Sequence, residues 1–288
     1  MITKEVKIAH LSDLHISGKQ DRRQLDDLDH MFDHFNSEGF NHIIISGDLS
    51  NAANPDDWEI VKEKLVKHGQ YNWEKTTVIA GNHDLTNLEE ELRFYNALNP
   101  LSFFRKNTFT HKLSEFARFF HELITGKEIG DVTCPFVKII NYPSLSIAIT
   151  ALNSVYPWSP YDNPLGARGI ITSRQLYALS QNNVFSSLRG CFVIGLCHHA
   201  YKVYGTDSLI DQAFDWTMEL KNRTEFLDCM IALHAKLVLH GHFHRFQSYM
   251  VKGVLFINGG SFRYSPKQYS ELVIEGQESF RQRFVTFS

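Results

Sequence analysis

Nowhere in this sequence do apolar residues run on for the roughly eighteen or more that a membrane helix needs, so no membrane span is expected. Cysteine is scarce. Cys134, Cys191, Cys197 and Cys229 are spread out with no paired spacing, and Cys191 and Cys197 lie in or beside an apolar run. Buried free thiols in a reducing cytosol fit that pattern better than a disulfide framework does. Charge of neither sign is in excess: the net charge is −3, which gives no whole-chain case for nucleic acid or an anionic membrane as partner. The first residues, Met1-Ile2-Thr3-Lys4-Glu5-Val6, lack an apolar signal core, so a cytoplasmic location is expected. There is no internal repeat and no low-complexity linker.

What is present is enough apolar residue for a substantial core, 43% of the chain, and an unusual amount of histidine, 15 residues in 288. Length and content suit one large α/β domain. Short β-rich runs alternate with helical patterns, the rhythm of α/β packing. Strands are predicted over Val6–Leu11, His42–Ser46, Thr76–Ala80, Ile147–Leu152, Cys191–Leu196 and Lys236–His240. Between the first two, Leu25, Leu28, Phe32 and Phe35 recur at helical spacing. After the second, Asn54-Pro55 supplies an N-cap and a first-turn proline to a helix carrying Trp58, Val61 and Leu65. Ser173 is expected to cap a helix with Leu176 and Leu179, and another helix is expected at about Asn222–Leu233. Residues 86–136 interrupt the rhythm with helical patterns at Leu88–Leu98 and Lys112–Ile124, and are expected to form a helical cap inserted in a single domain spanning 1–288. The tail from Val251 reads as short strands joined by turns.

Five of the predicted strands run into polar clusters at their carboxyl ends: Asp13-Leu14-His15, Gly47-Asp48, Gly81-Asn82-His83-Asp84, His198-His199 and Gly241-His242-Phe243-His244. In open α/β sheets, ligands gather beyond those ends, so residues distant in sequence would meet in one crevice. The donors are carboxylate, imidazole and amide, without thiolate, a set suited to Mn, Fe or Zn ions. Each cluster alone has an ordinary explanation: a capped turn, a packed histidine pair, a glycine turn. Their order and placement together do not.

That ordered set resembles the calcineurin-like metallophosphoesterase superfamily, whose pattern of Asp-x-His, Gly-Asp, Gly-Asn-His-Asp/Glu, a lone His and Gly-His-x-His is complete here. Asp13 and Asp48 are 35 residues apart, and Asp48 and Asn82 are 34 apart, as the pattern requires. The resemblance spans roughly Lys7–Tyr264, apart from 86–136. It implies an α/β fold, a four-layer αββα sandwich of two mixed sheets, with two divalent metal ions as cofactor. It assigns Asp13, His15 and His244 to one metal, Asn82, His198 and His242 to the other, and Asp48 to the bridge. His83 would act on the phosphate and the leaving oxygen, with Asp84 orienting its ring or capping a helix. The family's lone histidine is commonly followed by His/Ser-Pro. Here the run is Cys197-His198-His199-Ala200, so His198 and His199 both stay open, with His198 first after the strand.

Within the superfamily, His10-Leu-Ser-Asp-Leu-His, Gly47-Asp-Leu-Ser, Asp57-Trp58 and Gly169-Ile-Ile-Thr-Ser-Arg-Gln-Leu resemble the class III cyclic-nucleotide phosphodiesterases. The expectation is a phosphodiesterase on a small-molecule phosphoester, with 3′,5′-cyclic nucleotides leading. A competing expectation comes from Phe103, Phe104, Phe109, Phe116, Phe119 and Phe120, with Arg93, Arg105, Lys106 and Arg118 nearby. An aromatic, cationic cap could grip a lipid substrate, as in UDP-diacylglucosamine hydrolases; packing of those rings onto the domain is the plainer reading. A third is a protein-binding scaffold without turnover. Such scaffolds have lost motif residues, and none is lost here. A nuclease would want a basic stripe, and the chain has none evident.

Overall fold

The structure is a computed structural model, and it describes residues 5–18, 21–98, 102–126, 134–202 and 218–288. Strand β1 (Val6–Leu11) leads through α1 (Arg22–Ser37) to β2 (His42–Ile45), then α2 (Pro55–Lys67) and β3 (Thr76–Val78). Short α3 (Asn82–Leu85) is followed by α4 (Leu88–Leu98), α5 (Ser102–Phe119) and α6 (His121–Thr125). The second half holds β4 (Phe136–Tyr142), β5 (Leu145–Ala151), α7 (Ser173–Leu179), α8 (Asn182–Leu188), β6 (Cys191–Leu196), α9 (Arg223–Ala232) and β7 (Leu237–His240). Strands β8 (Phe246–Val251), β9 (Val254–Gly259), β10 (Gln268–Ile274) and β11 (Phe280–Thr286) complete it.

Two mixed sheets result, ordered β11-β10-β1-β2-β3 and β4-β5-β6-β7-β9-β8. Strands β1, β2 and β3 run parallel, as do β5, β6, β7 and β9, while β10, β11, β4 and β8 pair antiparallel with their neighbours. One core lies between the sheets, where Val6, Ile8, Ile44 and Leu272 meet Ile147, Ile149, Ile194 and Leu239. A second covers the outer face of the first sheet with Leu28, Phe32, Trp58 and Leu65 from α1 and α2. A third covers the outer face of the other with Leu179, Leu188, Phe226 and Met230. Strands buried on both faces need apolar residues at consecutive positions, which is why Ile43-Ile44-Ile45 reads as an unbroken run. The molecule is therefore the expected four-layer αββα sandwich.

Local chemistry accounts for the helix starts. Asp21 caps α1 by accepting from the Gln24 amide (3.1 Å), and Asn54 caps α2 by accepting from the Asp56 amide (3.1 Å) with Pro55 in the first turn. The cap of α7 is Thr172, one residue before the predicted Ser173. The expected helix Lys112–Ile124 is interrupted: α5 ends at Phe119, Phe120 leaves helical geometry, and α6 follows. Strand β4 has no counterpart among the predicted strands. Phe116, Phe120, Leu123 and Ile124 join the outer core beside Trp58 and Val78, so this part of the 86–136 segment extends the helical layer past the β3 edge. Within that segment the side chains of Phe103, Phe104, Arg105 and Lys106 lie outside the described residues.

Candidate metal centre

All five clusters emerge from the carboxyl ends of parallel strands, β1, β2 and β3 in one sheet and β6 and β7 in the other. The two sets are stitched across the sandwich. The Asp13 Oδ2 oxygen accepts from the His242 amide at 3.0 Å. Nδ1 of His198 stands 2.8 Å from the Ser46 carbonyl oxygen, which makes Nδ1 a protonated nitrogen and turns Nε2 toward Asp48 and Asn82. Within the first sheet, the Asp13 amide donates to Gly47 O (3.1 Å) and the His15 amide to Asp48 O (2.9 Å). From beneath, the Gln24 amide group donates to the Leu14 carbonyl at 2.7 Å. Glycine matters here because the loops touch: a Cβ on Gly81 would overlap the Asp48 carboxylate and amide, and one on Gly241 would overlap Ser12 and Asp13.

Backbone strain is concentrated at the same residues. Asp13, His15, Asp48, His242 and His244 all have positive φ, between 46° and 73°. A non-glycine residue there costs on the order of 1–3 kcal/mol and persists only where its surroundings hold it. The hydrogen bonds just given do so for Asp13, His15, Asp48 and His242.

The side chains converge. His244 Nε2 lies 3.1 Å from Asp13 Oδ1 and 3.1 Å from His15 Nε2. His198 Nε2 lies 3.3 Å from Asp48 Oδ2 and 3.1 Å from Asn82 Oδ1. The same Asp48 oxygen is 3.7 Å from His15 Nε2, while its partner Oδ1 is taken by the His83 amide (2.8 Å). Asp48 Oδ2 thus stands between two groups, Asp13–His15–His244 on one side and His198–His242 with Asn82 on the other. Ligand atoms within 4.8 Å of one another occur as Asp13/His15/His244, as Asp48/His198/His242, and as His15/Asp48/His83.

The electrostatics suit a cation here. Burial opposes ionisation of Asp13, but the His15 and His244 imidazoles outweigh it and hold the carboxyl well below the usual carboxylate range. Burial likewise opposes ionisation of Asp48, and His198 with His83 and His15 overcomes it and holds the group low. Burial pulls His198 down, yet Asp48, Asp13 and the Ser46 carbonyl push it up to about 9. His242 is pulled down to about 3 by burial and the neighbouring His198, so it stays neutral with its Nε2 buried and unpartnered. Asp13 Oδ1 is likewise buried, with His244 Nε2 at 3.1 Å but no N–H well aligned on it. Buried polar atoms are costly to leave unmatched. Divalent cations would match both atoms, and the N/O donor set suits first-row ions.

Two expectations are refined. His198, not His199, faces Asp48; the His199 ring turns aside, with Nδ1 2.9 Å from the Ser154 hydroxyl. Asp84 does not orient His83. Its carboxylate is fully buried and accepts from the amides of Gly81 (2.9 Å), Ser50 (2.8 Å) and Leu49 (3.2 Å) and from Trp58 Nε1 (3.2 Å). Burial and the nearby Asp48 push it up to about 7, against those donors. His83 is held by a backbone group the sequence does not signal: Nδ1 is 2.9 Å from the Asn51 carbonyl oxygen. The Ser46 carbonyl and the Ser154 hydroxyl, which accepts from the His198 amide (3.1 Å), were equally invisible in any motif.

Residues 6–246 match the family described as calcineurin-like phosphoesterase. The chain belongs to that family. Calcineurin-like phosphoesterases are metal-dependent phosphoester hydrolases, typically with a dinuclear centre, and that is the class of this protein. No curated protein matches the sequence. Among solved structures, a dimetal phosphatase from Danio rerio is similar with a TM-score of 0.56 and 12% identity, over 98% of this chain and 99% of that one. A purple acid phosphatase from yellow lupin (Lupinus luteus) seeds gives 0.58 and 10%, over 98% of this chain and 51% of that one. GAP50, the anchor in the inner membrane complex of Plasmodium, gives 0.55 and 12%, over 98% and 84%. At such identities these likenesses concern the fold.

Proposed function

We propose that this calcineurin-like phosphoesterase is a dinuclear phosphodiesterase acting on a small organic diester, with 3′,5′-cyclic nucleotides the first class to test. The observation that carries the reading is the position of Asp48 Oδ2 between two compact donor groups, 3.3 Å from His198 and 3.7 Å from His15. In this reading Asp13, His15 and His244 would hold one ion and Asn82, His198 and His242 the other, with Asp48 available to both. Two divalent ions (Mn, Fe or Zn) held there would supply Lewis-acid chemistry to the phosphoester and to a water nucleophile.

The chain's own residues do the rest. The Ser46 carbonyl fixes His198 with Nε2 inward, and the Asp13–His242 bond sets the distance between the two loops. The Asn51 carbonyl fixes His83 through Nδ1, so that the ring in its doubly protonated form would donate from Nε2 to the phosphoryl group and give that proton to the departing ester oxygen, ending neutral. We take the whole chain to act as one domain with 86–136 inserted in it, and place it in the cytosol, which its four free cysteines fit. No helix among the described residues is long and apolar enough to cross a membrane. The lipid-grip alternative is weakened because Phe116 and Phe120, 2% and 0% exposed, are committed to the core.

The test is a panel of cyclic nucleotides, glycerophosphodiesters, a UDP-lipid and aryl phosphate monoesters, with Mn²⁺ present. Diesters should be hydrolysed best, chelation should abolish turnover, and Asp48→Asn should lower kcat/KM by roughly a hundredfold or more as the bridging charge is lost. Monoesters outrunning every diester, or activity indifferent to chelator and to Asp48→Asn, would sink the reading.

A further inference from the structure

The loop between β9 and β10 is fastened to the Ser12–His15 segment at four points. The Phe262 amide donates to Ser12 O (3.0 Å) and the Arg263 amide to Asp13 O (3.3 Å). The Ser261 hydroxyl donates to Asp13 O (3.1 Å) and the Arg263 guanidinium to His15 O (2.9 Å). A bond from the Ser265 amide to Ser261 O closes the loop on itself (3.0 Å). Its tip carries Tyr264, whose ring centroid is 5.3 Å from that of His244, with the planes at 50°. Yet Tyr264 is 68% exposed. Single exposed aromatics are ordinary on protein surfaces. This one differs in that a rigid loop sets it in water directly beside a candidate metal ligand, where it adds nothing to the core.

We propose that Tyr264 determines specificity by stacking: it selects phosphoesters whose organic group ends in a planar ring, a nucleobase or an aryl group. The proposal rests on the phosphoesterase reading of the site. A phosphoryl group drawn to the Asp13–His15–His244 side leaves its organic substituent within one ring's reach of Tyr264. A flat substituent then covers an aromatic face whose position is already fixed, so little freedom is lost on binding. A compact alkyl group has no face to offer it.

Equilibrium binding tests this without turnover. Calorimetry of the Mn²⁺-supplemented protein compares adenosine monophosphate with ribose 5-phosphate, which share the phosphate and sugar and differ by the base. The wild type should prefer the nucleotide by about tenfold, within the range that base stacking on one aromatic gives. Tyr264→Ala should bring that ratio close to one, while Tyr264→Phe and Tyr264→Trp should keep it. A wild type without the preference, an unchanged ratio in Tyr264→Ala, or loss of the ratio in Tyr264→Phe would each overturn the proposal. A kinetic arm uses the methyl diesters of adenosine 5′-phosphate and ribose 5-phosphate, which differ only by the base; the ratio of their kcat/KM values should fall in Tyr264→Ala. Should the wild type hydrolyse neither ester, the proposed function fails by itself, and the binding ratio still decides what Tyr264 does.

Discussion

At the residue scale, His83 shows how one motif divides its labour. Asn82 and His83 are neighbours in sequence, but Asn82 Oδ1 meets His198, while the half-buried His83 ring packs edge-on to His15 at 4.7 Å. His83 gives its amide to Asp48 and its Nδ1 to Asn51, so its side chain is not needed to hold the Asp48 carboxylate in place. His83→Ala should therefore keep metal while turnover falls by about 10²–10³-fold, the usual scale for losing an acid–base group. Elemental analysis alongside steady-state kinetics checks this, and a variant with wild-type kcat would remove His83 from the chemistry. The seven proposed ligands could all be named from the sequence because the motifs that carry the family resemblance are written in side chains. The carbonyls of Ser46 and Asn51 could not, because every residue has one and only the fold says which is aimed at an imidazole. Histidine content shows the same limit: His10 and His240 precede motif residues yet lie wholly in the core, where burial pulls them down to about 3 and about 4.

At the element scale, the clusters sit where parallel strands end, and Asp84 ties three elements into that arrangement. Its carboxylate joins the turn after β2, the turn after β3 and the Trp58 indole of α2. Asp84→Ala should cost about 3 kcal/mol, since buried N–H groups lose their acceptor, and should weaken metal retention by releasing the positive-φ turn at Asp48. Denaturant unfolding and metal content read the two effects, and wild-type values for both would contradict the hub role. Strand and helix identity was largely legible, because apolar runs and helical periodicity are local signals. The break at Phe120 was not. The apolar spacing Leu113, Phe116, Phe120, Leu123 continues through it, and the outer core accepts both pieces, so periodicity alone records one helix where the chain makes two.

At the scale of the whole molecule, the sandwich is also held at the end away from the metal centre. Lys138 of β4 donates to the carbonyls of Trp73 (2.8 Å) and Thr76 (2.7 Å) across the sheets, and His42 of β2 bonds the Glu74 carbonyl (2.7 Å) and the Thr77 hydroxyl (2.8 Å). Burial, then the Lys138 charge, pulls His42 from 6.5 down to about 3. Between those values the unfolded chain takes up a proton that the fold refuses. Stability from this group is therefore complete above about pH 6.5 and is lost as pH falls toward 3, at up to about 1.4 kcal/mol per pH unit. In chelator, unfolding free energies from pH 7 to 4 should fall less steeply for His42→Gln than for wild type; equal slopes would refute it.

The sequence by itself determined the α/β class and most of the helices and strands, because periodicity and capping are carried by side chains in order along the chain, and its motifs proposed the donor set through their family resemblance. Only the tertiary structure decided which of His198 and His199 faces Asp48, what orients His83, and that Tyr264 stands beside His244. Those facts depend on loops distant in sequence meeting in space, and no spacing along one chain encodes that meeting.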